Sequence, residues 1–417
     1  MKLRTLFLFI VVILTLGPLS AGKQVPLPAD LQGELGGVPY RIQVPANWNG
    51  TLLVYAHGYG EAYTPPLLAP LPADVETLLA RGFALAASRF AGSGWQVKEG
   101  MQDTVALTSA FRHMIGRPRW TILWGKSMGG LMTLGMIEKF PHHYDGAVAL
   151  CPPAAGTPRR FDQGLDVALA YAVAFGWKPE WGTPGDIRDD INFMTEVYPD
   201  ILAQLTPDQK GRWEFIRLVN RIPIDSYYAP SNARVLSLYF AIAVRAELES
   251  RAGGPVAENV RRSYSLTDQE KVYLNGLGVD AEGLLAEMNA KTTFRSARNA
   301  RKYAEHYVDP SGEIKKPVLT LHTEGDPIAT PNHESAYRVT VEQEGNGHHL
   351  MQEFVPGGAH CTFTSSQDMA GIDAMVYWIN TRHRPDPSFF PLALGFDQNY
   401  VPEPWPWLEN HEHDRGH

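Results

Sequence analysis

Residues 120–140 read WTILWGKSMGGLMTLGMIEKF: an apolar run, a serine bracketed by glycines, and an amphipathic stretch in immediate succession. The run Trp120–Trp124 has the unbroken hydrophobicity of a strand buried on both faces of a parallel sheet. Leu131–Phe140 has helical spacing and stops at Pro141. Between them, Gly125-Lys126-Ser127-Met128-Gly129 must reverse the chain sharply. Such a turn strains its central residue, and side chains two positions to either side would collide, so both positions are glycine. The Ser127 hydroxyl then projects at a helix N-terminus, where N–H groups and the helix dipole favour developing negative charge. A tight structural turn is the competing reading. The strand before and the helix after favour the functional one.

Outward from this stretch the alternation continues. Val38–Val44 reads as a strand, and Thr51–Ala56 as a buried strand ending at His57-Gly58. Asp74–Arg81 reads as a helix stopped by Gly82, and Phe83–Ser88 as the next buried strand. Lys98–Met114 is helical in period, and Ala147–Leu150 is a further strand. Alternation of this kind predicts an α/β fold with a mostly parallel sheet and helices on both faces.

Near Pro152 the pattern changes. Up to Glu313 the sequence offers amphipathic helices at Leu165–Phe175, Trp213–Arg221, Val235–Leu248, Ala281–Met288 and Ala297–Tyr307. Thr267 and Glu270 are spaced as a capping box. A helical insertion folded over the sheet is expected. The sheet pattern resumes with a strand at Val318–His322 and the turn Glu324-Gly325-Asp326-Pro327. Helix Ser335–Glu344, strand Leu350–Val355, the loop Gly357-Gly358-Ala359-His360 and helix Gln367–Thr381 follow. The expected units are a core in two parts, 22–151 and 314–383, the insertion 152–313, and a tail 384–417 rich in proline, tryptophan and histidine. His411, His413 and His417 suit a weak metal site, but a solvated terminus is the plainer reading, and no metal is expected.

A serine hydroxyl is a poor nucleophile at neutral pH. It needs a base, and the base needs a group that fixes its tautomer. Asp326 sits on a loop after a buried strand, on the same sheet edge as Ser127. Glu324 is its nearest rival. His360 follows the last strand on a flexible loop and is the expected base. His348 and His349 precede that strand, His322 lies within a strand, and His333 opens a helix. The oxyanion donors are expected at the backbone N–H of Met128 and of Tyr59, in His57-Gly58-Tyr59-Gly60. Trp95 and Lys126 are candidate substrate contacts. Trp177, Trp181 and Trp213 are further candidates in the insertion, although such rings are more often core.

These pieces, His57-Gly58-Tyr59, Gly125–Gly129, Gly325-Asp326 and Ala359-His360, stand in an order and spacing that resembles the α/β-hydrolase superfamily of lipases, esterases and some peptidases. The resemblance covers roughly 38–151 and 317–381. It implies a sheet of about eight strands, a Ser127–His360–Asp326 triad and no cofactor. It also implies acyl transfer to water, with a small or polymeric carboxylic ester as the leading substrate. Short peptides are the second reading; acidic residues such as Glu282, Glu287, Asp189 and Asp190 exist in the insertion to hold an amino terminus. A non-catalytic binding protein on the same scaffold is the third. Lys126 departs from the histidine or aromatic residue that many members carry before the serine. Cys151 and Cys361 both fall near the catalytic edge. A disulfide between them is one expectation, and two separate buried thiols are the other.

Composition sets the frame. The 417 residues are 44% hydrophobic, ample for a large core, and the net charge of −8 excludes the basic face expected of a nucleic-acid binder. Lys2 and Arg4, the apolar run Leu6–Leu16, and the small residues Leu19-Ser20-Ala21 read as a leader spanning 1–21. A secreted or periplasmic protein is expected, with no stable membrane insertion after the leader is removed.

Overall fold

The computed structural model describes residues 11–13, 25–225, 227–228 and 233–406. Its centre is one twisted sheet. The strands are β1 (Val11–Ile13), β2 (Ala29–Leu35), β3 (Val38–Val44), β4 (Thr51–Ala56), β5 (Ala84–Ser88), β6 (Trp120–Lys126) and β7 (Gly146–Leu150), joined by β10 (Val318–Thr323) and β11 (Leu350–Val355). The spatial order is β1-β2-β3-β5-β4-β6-β7-β10-β11. Only β3 runs against its neighbours; every other pairing in the sheet is parallel. This order and these directions are those of the α/β-hydrolase fold.

The apolar runs are buried on both faces, as their composition demands. Along β4, Leu52, Val54 and Ala56 join one core cluster, while Leu53 and Tyr55 join the other. The first face is covered by α2 (Val97–Met114), α3 (Met128–Lys139) and α12 (Asn332–Gln343). The second is covered by α1 (Pro72–Ala80) and α13 (Ser365–Thr381). Each expected strand and helix of the core is present, within a few residues of its expected ends. β2 was not foreseen. It pairs antiparallel with β3 from Ala29↔Val44 to Leu35↔Val38, and its Asp30 and Glu34 hide it from a search for apolar runs.

Between β7 and β10 the chain forms helices α4 (Thr157–Phe175), α5 (Tyr198–Ala203), α6 (Lys210–Val219), α7 (Ala233–Tyr239), α8 (Arg245–Ala252), α9 (Asp268–Gly276), α10 (Ala281–Ala290) and α11 (Arg298–His306). A π-helical turn, Phe240–Val244, joins α7 to α8. A small ribbon of β8 (Gly182–Thr183) and β9 (Asp186–Ile187) completes the region. The Thr267–Glu270 capping box opens α9 as expected. This insertion has its own core around Trp213, Phe215, Ile216 and Ile242. Phe240, Val244 and Leu248 tie it to the core of the sheet.

The C-terminal tail is anchored by Phe390 and Phe396 in the sheet core and by Trp405 against His333. His411, His413 and His417 lie outside the described residues. So does the expected leader, apart from Val11–Ile13, which pairs parallel with β2 at the sheet edge. Among the described residues no helix is long and apolar enough to cross a membrane.

Candidate active site

Ser127 stands between β6 and α3 with φ +55° and ψ −123°. That region costs a non-glycine residue on the order of 1–3 kcal/mol, so the surroundings must hold it. They do. The Ser127 N–H donates to the Leu150 carbonyl of β7 at 2.9 Å, and Leu131 N–H donates to the Ser127 carbonyl at 3.0 Å. The flanking glycines are required by contact. A Cβ at Gly129 would lie 2.0 Å from the Ala56 carbonyl oxygen, and one at Gly125 would lie 2.7 Å from it.

The acid and base loops leave the ends of adjacent strands, β10 and β11, and are stitched together. Gly325 N–H donates to the Gly357 carbonyl at 2.8 Å, and the Thr323 hydroxyl donates to the Ala359 carbonyl at 2.9 Å. His360 Nδ1 lies 2.6 Å from Asp326 Oδ2, and His360 Nε2 lies 2.7 Å from Ser127 Oγ. The other Asp326 oxygen accepts the N–H groups of Ile328 and Ala329 at 2.9 and 3.0 Å. Asp326 is wholly buried, while the His360 side chain remains 17% exposed. The three residues form one hydrogen-bonded line with a single open end, the serine hydroxyl.

The rival residues lie elsewhere. Glu324 turns into a separate cleft of about 320 Å³ with Arg217, Arg221, Asp225 and Tyr400. Burial, then the Asp397 and Asp225 charges, push its carboxyl up to about 7. His348 and His349 pack against each other, rings tilted, just before β11. His333 is buried, bonded to Gln163 and to the Ala155 N–H. His322 lies behind the acid, 3.6 Å from Asp326 Oδ2, and meets Glu334 Oε1 at 3.0 Å. Burial opposes its charged form, but Glu334 and Asp326 outweigh that and raise its pKa.

Met128 directly follows Ser127, and Gly58, the residue before Tyr59, faces it. Met128 is the first residue of α3, where N–H groups lack an intrahelical acceptor. Tyr59 follows Gly58, at which a Cβ would come 3.5 Å from Ser127 Cβ. Sequence reasoning missed what fixes this loop. Glu61 Oε2 accepts the Gly58 N–H at 3.1 Å, and Glu61 Oε1 pairs with Lys126 Nζ at 2.7 Å. Lys126 therefore ties the nucleophile turn to the loop of Tyr59. The Tyr59 ring packs on Phe240, and its hydroxyl meets that of Tyr239 at 3.3 Å, so the insertion roofs this side.

Trp95 is buried, edge-on to Phe161. Trp181 and Trp213 lie in the insertion's core, with Trp177 packed against it. Cys151 and Cys361 are paired, with Cα atoms 5.4 Å apart, beside His360. Those sulfurs and a His360 nitrogen lie within 4.8 Å of one another, the one cluster of metal-donor type among the described residues. Paired sulfurs offer no thiolate, and His360 Nε2 is engaged with Ser127.

No protein-family model matches the chain. An o-phthalyl amidase from Xanthobacter agilis is 24% identical over 414 residues, spanning 84% of this chain and 88% of that protein. Among solved structures, a proline iminopeptidase of Mycobacterium smegmatis aligns at 13% identity and TM-score 0.40, over 85% of this chain and 98% of its own. A feruloyl esterase B of Aspergillus oryzae aligns at 15% identity and TM-score 0.39, over 84% of this chain and 78% of its own. At these scores neither structure speaks to substrate, and the fold rests on the strand order given above.

Proposed function

We propose that this chain, an α/β hydrolase by fold, is a serine hydrolase that transfers an acyl group from a carboxylic ester to water. The observation that carries the reading is the Ser127–His360–Asp326 line, with contacts of 2.7 and 2.6 Å. His360 Nε2 takes the hydroxyl proton as Ser127 Oγ attacks the carbonyl carbon. Asp326 holds Nδ1 protonated and stabilises the imidazolium. The N–H groups of Met128 and Tyr59 receive the oxyanion. As the tetrahedral intermediate collapses, His360 gives its proton to the leaving oxygen and an acyl-serine remains. Water then loses a proton to His360, attacks the acyl carbon, and the serine leaves with that proton.

Amide bonds are the second reading. The same steps serve an amine leaving group, and the relative from Xanthobacter agilis is named an amidase. The test compares wild type and Ser127→Ala on p-nitrophenyl esters and p-nitroanilides of graded acyl size. Ester turnover that falls on the order of 10⁵-fold in Ser127→Ala is expected. Amide cleavage without ester cleavage would overturn the ester reading. Activity unchanged in Ser127→Ala would overturn the mechanism.

A further inference from the structure

Among the described residues the insertion has two buried arginines, Arg160 and Arg245, and several half-buried ones such as Arg301. Arg301 grips Asp162 through two contacts of 2.7 and 3.1 Å, and Arg245 lies 3.5 Å from Glu249. Arg160, near the start of α4, is only 4% exposed. Yet among the described residues its guanidinium has neither a hydrogen-bond acceptor nor an ion-pair partner. It rests on two aromatic faces, Phe240 at 5.5 Å and Phe161 at 5.9 Å. Burial pulls its pKa down to about 10, and the one charge that offsets this appreciably is that of Asp326. A buried charge without hydrogen bonds is costly, and a guanidinium has five N–H donors to satisfy.

Its position gives the reason for such an arrangement. α4 begins just beyond β7, the strand whose Leu150 carbonyl holds Ser127. The Phe240 ring under Arg160 also packs on Tyr59, 5.4 Å away, and Gly58, the residue before Tyr59, faces Ser127. Arg160 is thus linked through Phe240 to the Tyr59 loop, and its charge reaches Asp326 of the triad.

We propose that Arg160 is the anchor for a free carboxylate carried by the substrate beside its scissile bond. The inference rests on the reading of Ser127 as nucleophile and specifies the substrate class of that same site. A planar guanidinium matches a carboxylate through two parallel hydrogen bonds. The surrounding rings suit an apolar or aromatic body between carboxylate and scissile carbonyl.

Two matched substrate pairs test this. In one, the carboxylate is on the acyl part: succinyl against butyryl p-nitroanilide. In the other it is on the leaving part: 4-acetoxybenzoate against p-tolyl acetate. Wild type is expected to favour the acid in at least one pair. Arg160→Met is expected to lose on the order of a hundredfold in kcat/KM on that acid, and under about threefold on its neutral partner. No preference for either acid in wild type overturns the proposal, and needs no variant. An equal loss on acid and neutral partner also overturns it, because Arg160 would then serve only to balance Asp326. Arg160→Lys keeps the charge without the fork and should fall between, which guards against misfolding of the methionine variant. Labelling by a fluorophosphonate reads the nucleophile separately. Failure to label Ser127 sinks the mechanism, and the proposal with it. Ser127 that labels equally with and without millimolar succinate, in wild type as in Arg160→Met, sinks the proposal alone.

Discussion

The sheet and the insertion bury their side chains by different means. The central strands are mostly apolar, and their helices pack onto two hydrophobic faces. The insertion also has an apolar core, but its buried charges meet opposite charges, whereas the buried acids of the sheet part, Asp74, Asp326 and Glu334, meet hydroxyls, imidazoles and N–H groups. Asp162, Asp166, Arg245 and Glu249 are each no more than 6% exposed. Asp166 accepts the Tyr264 hydroxyl at 2.6 Å and faces Arg262 at 3.4 Å. Hydrophobic packing sets a shape that many sequences satisfy, whereas buried ion pairs demand one partner each. The sheet part thus rests mainly on shape, and the insertion also on particular pairs of residues.

The comparison breaks if the ion pairs of the insertion are dispensable. Arg301→Met removes the two-contact partner of Asp162, leaving among the described residues the Glu258 N–H and Arg262 at 3.9 Å, so it should destabilise the protein by about 3 kcal/mol. Adding Asp162→Leu should restore most of that loss, since an apolar pair removes both the charge and the unmet need. Thermal unfolding of the single and double variants reads this. A single variant as stable as wild type would show that the insertion stands on its apolar core alone.

A smaller effect sharpens the boundary between scaffold and site. Lys126 holds Glu61 and so the Gly58–Tyr59 loop. Lys126→Met should lower kcat by roughly tenfold, as loss of a positioning contact does, with KM nearly unchanged. Lys126→Arg, which can keep the pair, should recover most of the rate. A fall in KM affinity with kcat intact would instead make Lys126 a substrate contact.

The smallest effect lies under the sheet. Asp368 is buried beside Asp74, and burial first, then the Asp74 charge, push it up to about 8. The folded protein therefore holds a proton that the unfolded chain releases near pH 4. Stability from this group falls as pH rises from about 4 to about 8, then levels off. Asp368→Asn, which cannot ionise, should gain on the order of 1 kcal/mol over wild type at pH 8 to 9, with the gap closing toward pH 4. A gap that does not narrow on acidification would sink this account.

Much of the sheet was legible because burial on both faces leaves an unbroken apolar run, which little else produces. The nucleophile turn was legible because its glycines answer contacts of 2.0 and 2.7 Å that no other residue survives. Asp326 and His360 followed from chain order and loop position. The insertion was harder. Its helices at Leu165–Phe175 and Ala281–Met288 showed in the periodicity, but α5 was missed, and its buried acids and arginines left no mark in the pattern. Glu61 and Arg160 were invisible for the same reason. A single charged residue gives no local sign of whether it is buried or what it meets.

The placement of the insertion also governs how the sheet is assembled. β7 and β10 are direct neighbours, with Val318 opposite Ala147, yet the whole insertion lies between them in the chain. During synthesis β4, β5, β6 and β7 emerge together and can pair at once. β7 then keeps a bare edge until the insertion has been made and β10 arrives. Closing so long a loop is a late event, and an unpaired apolar edge is where a nascent chain finds wrong partners.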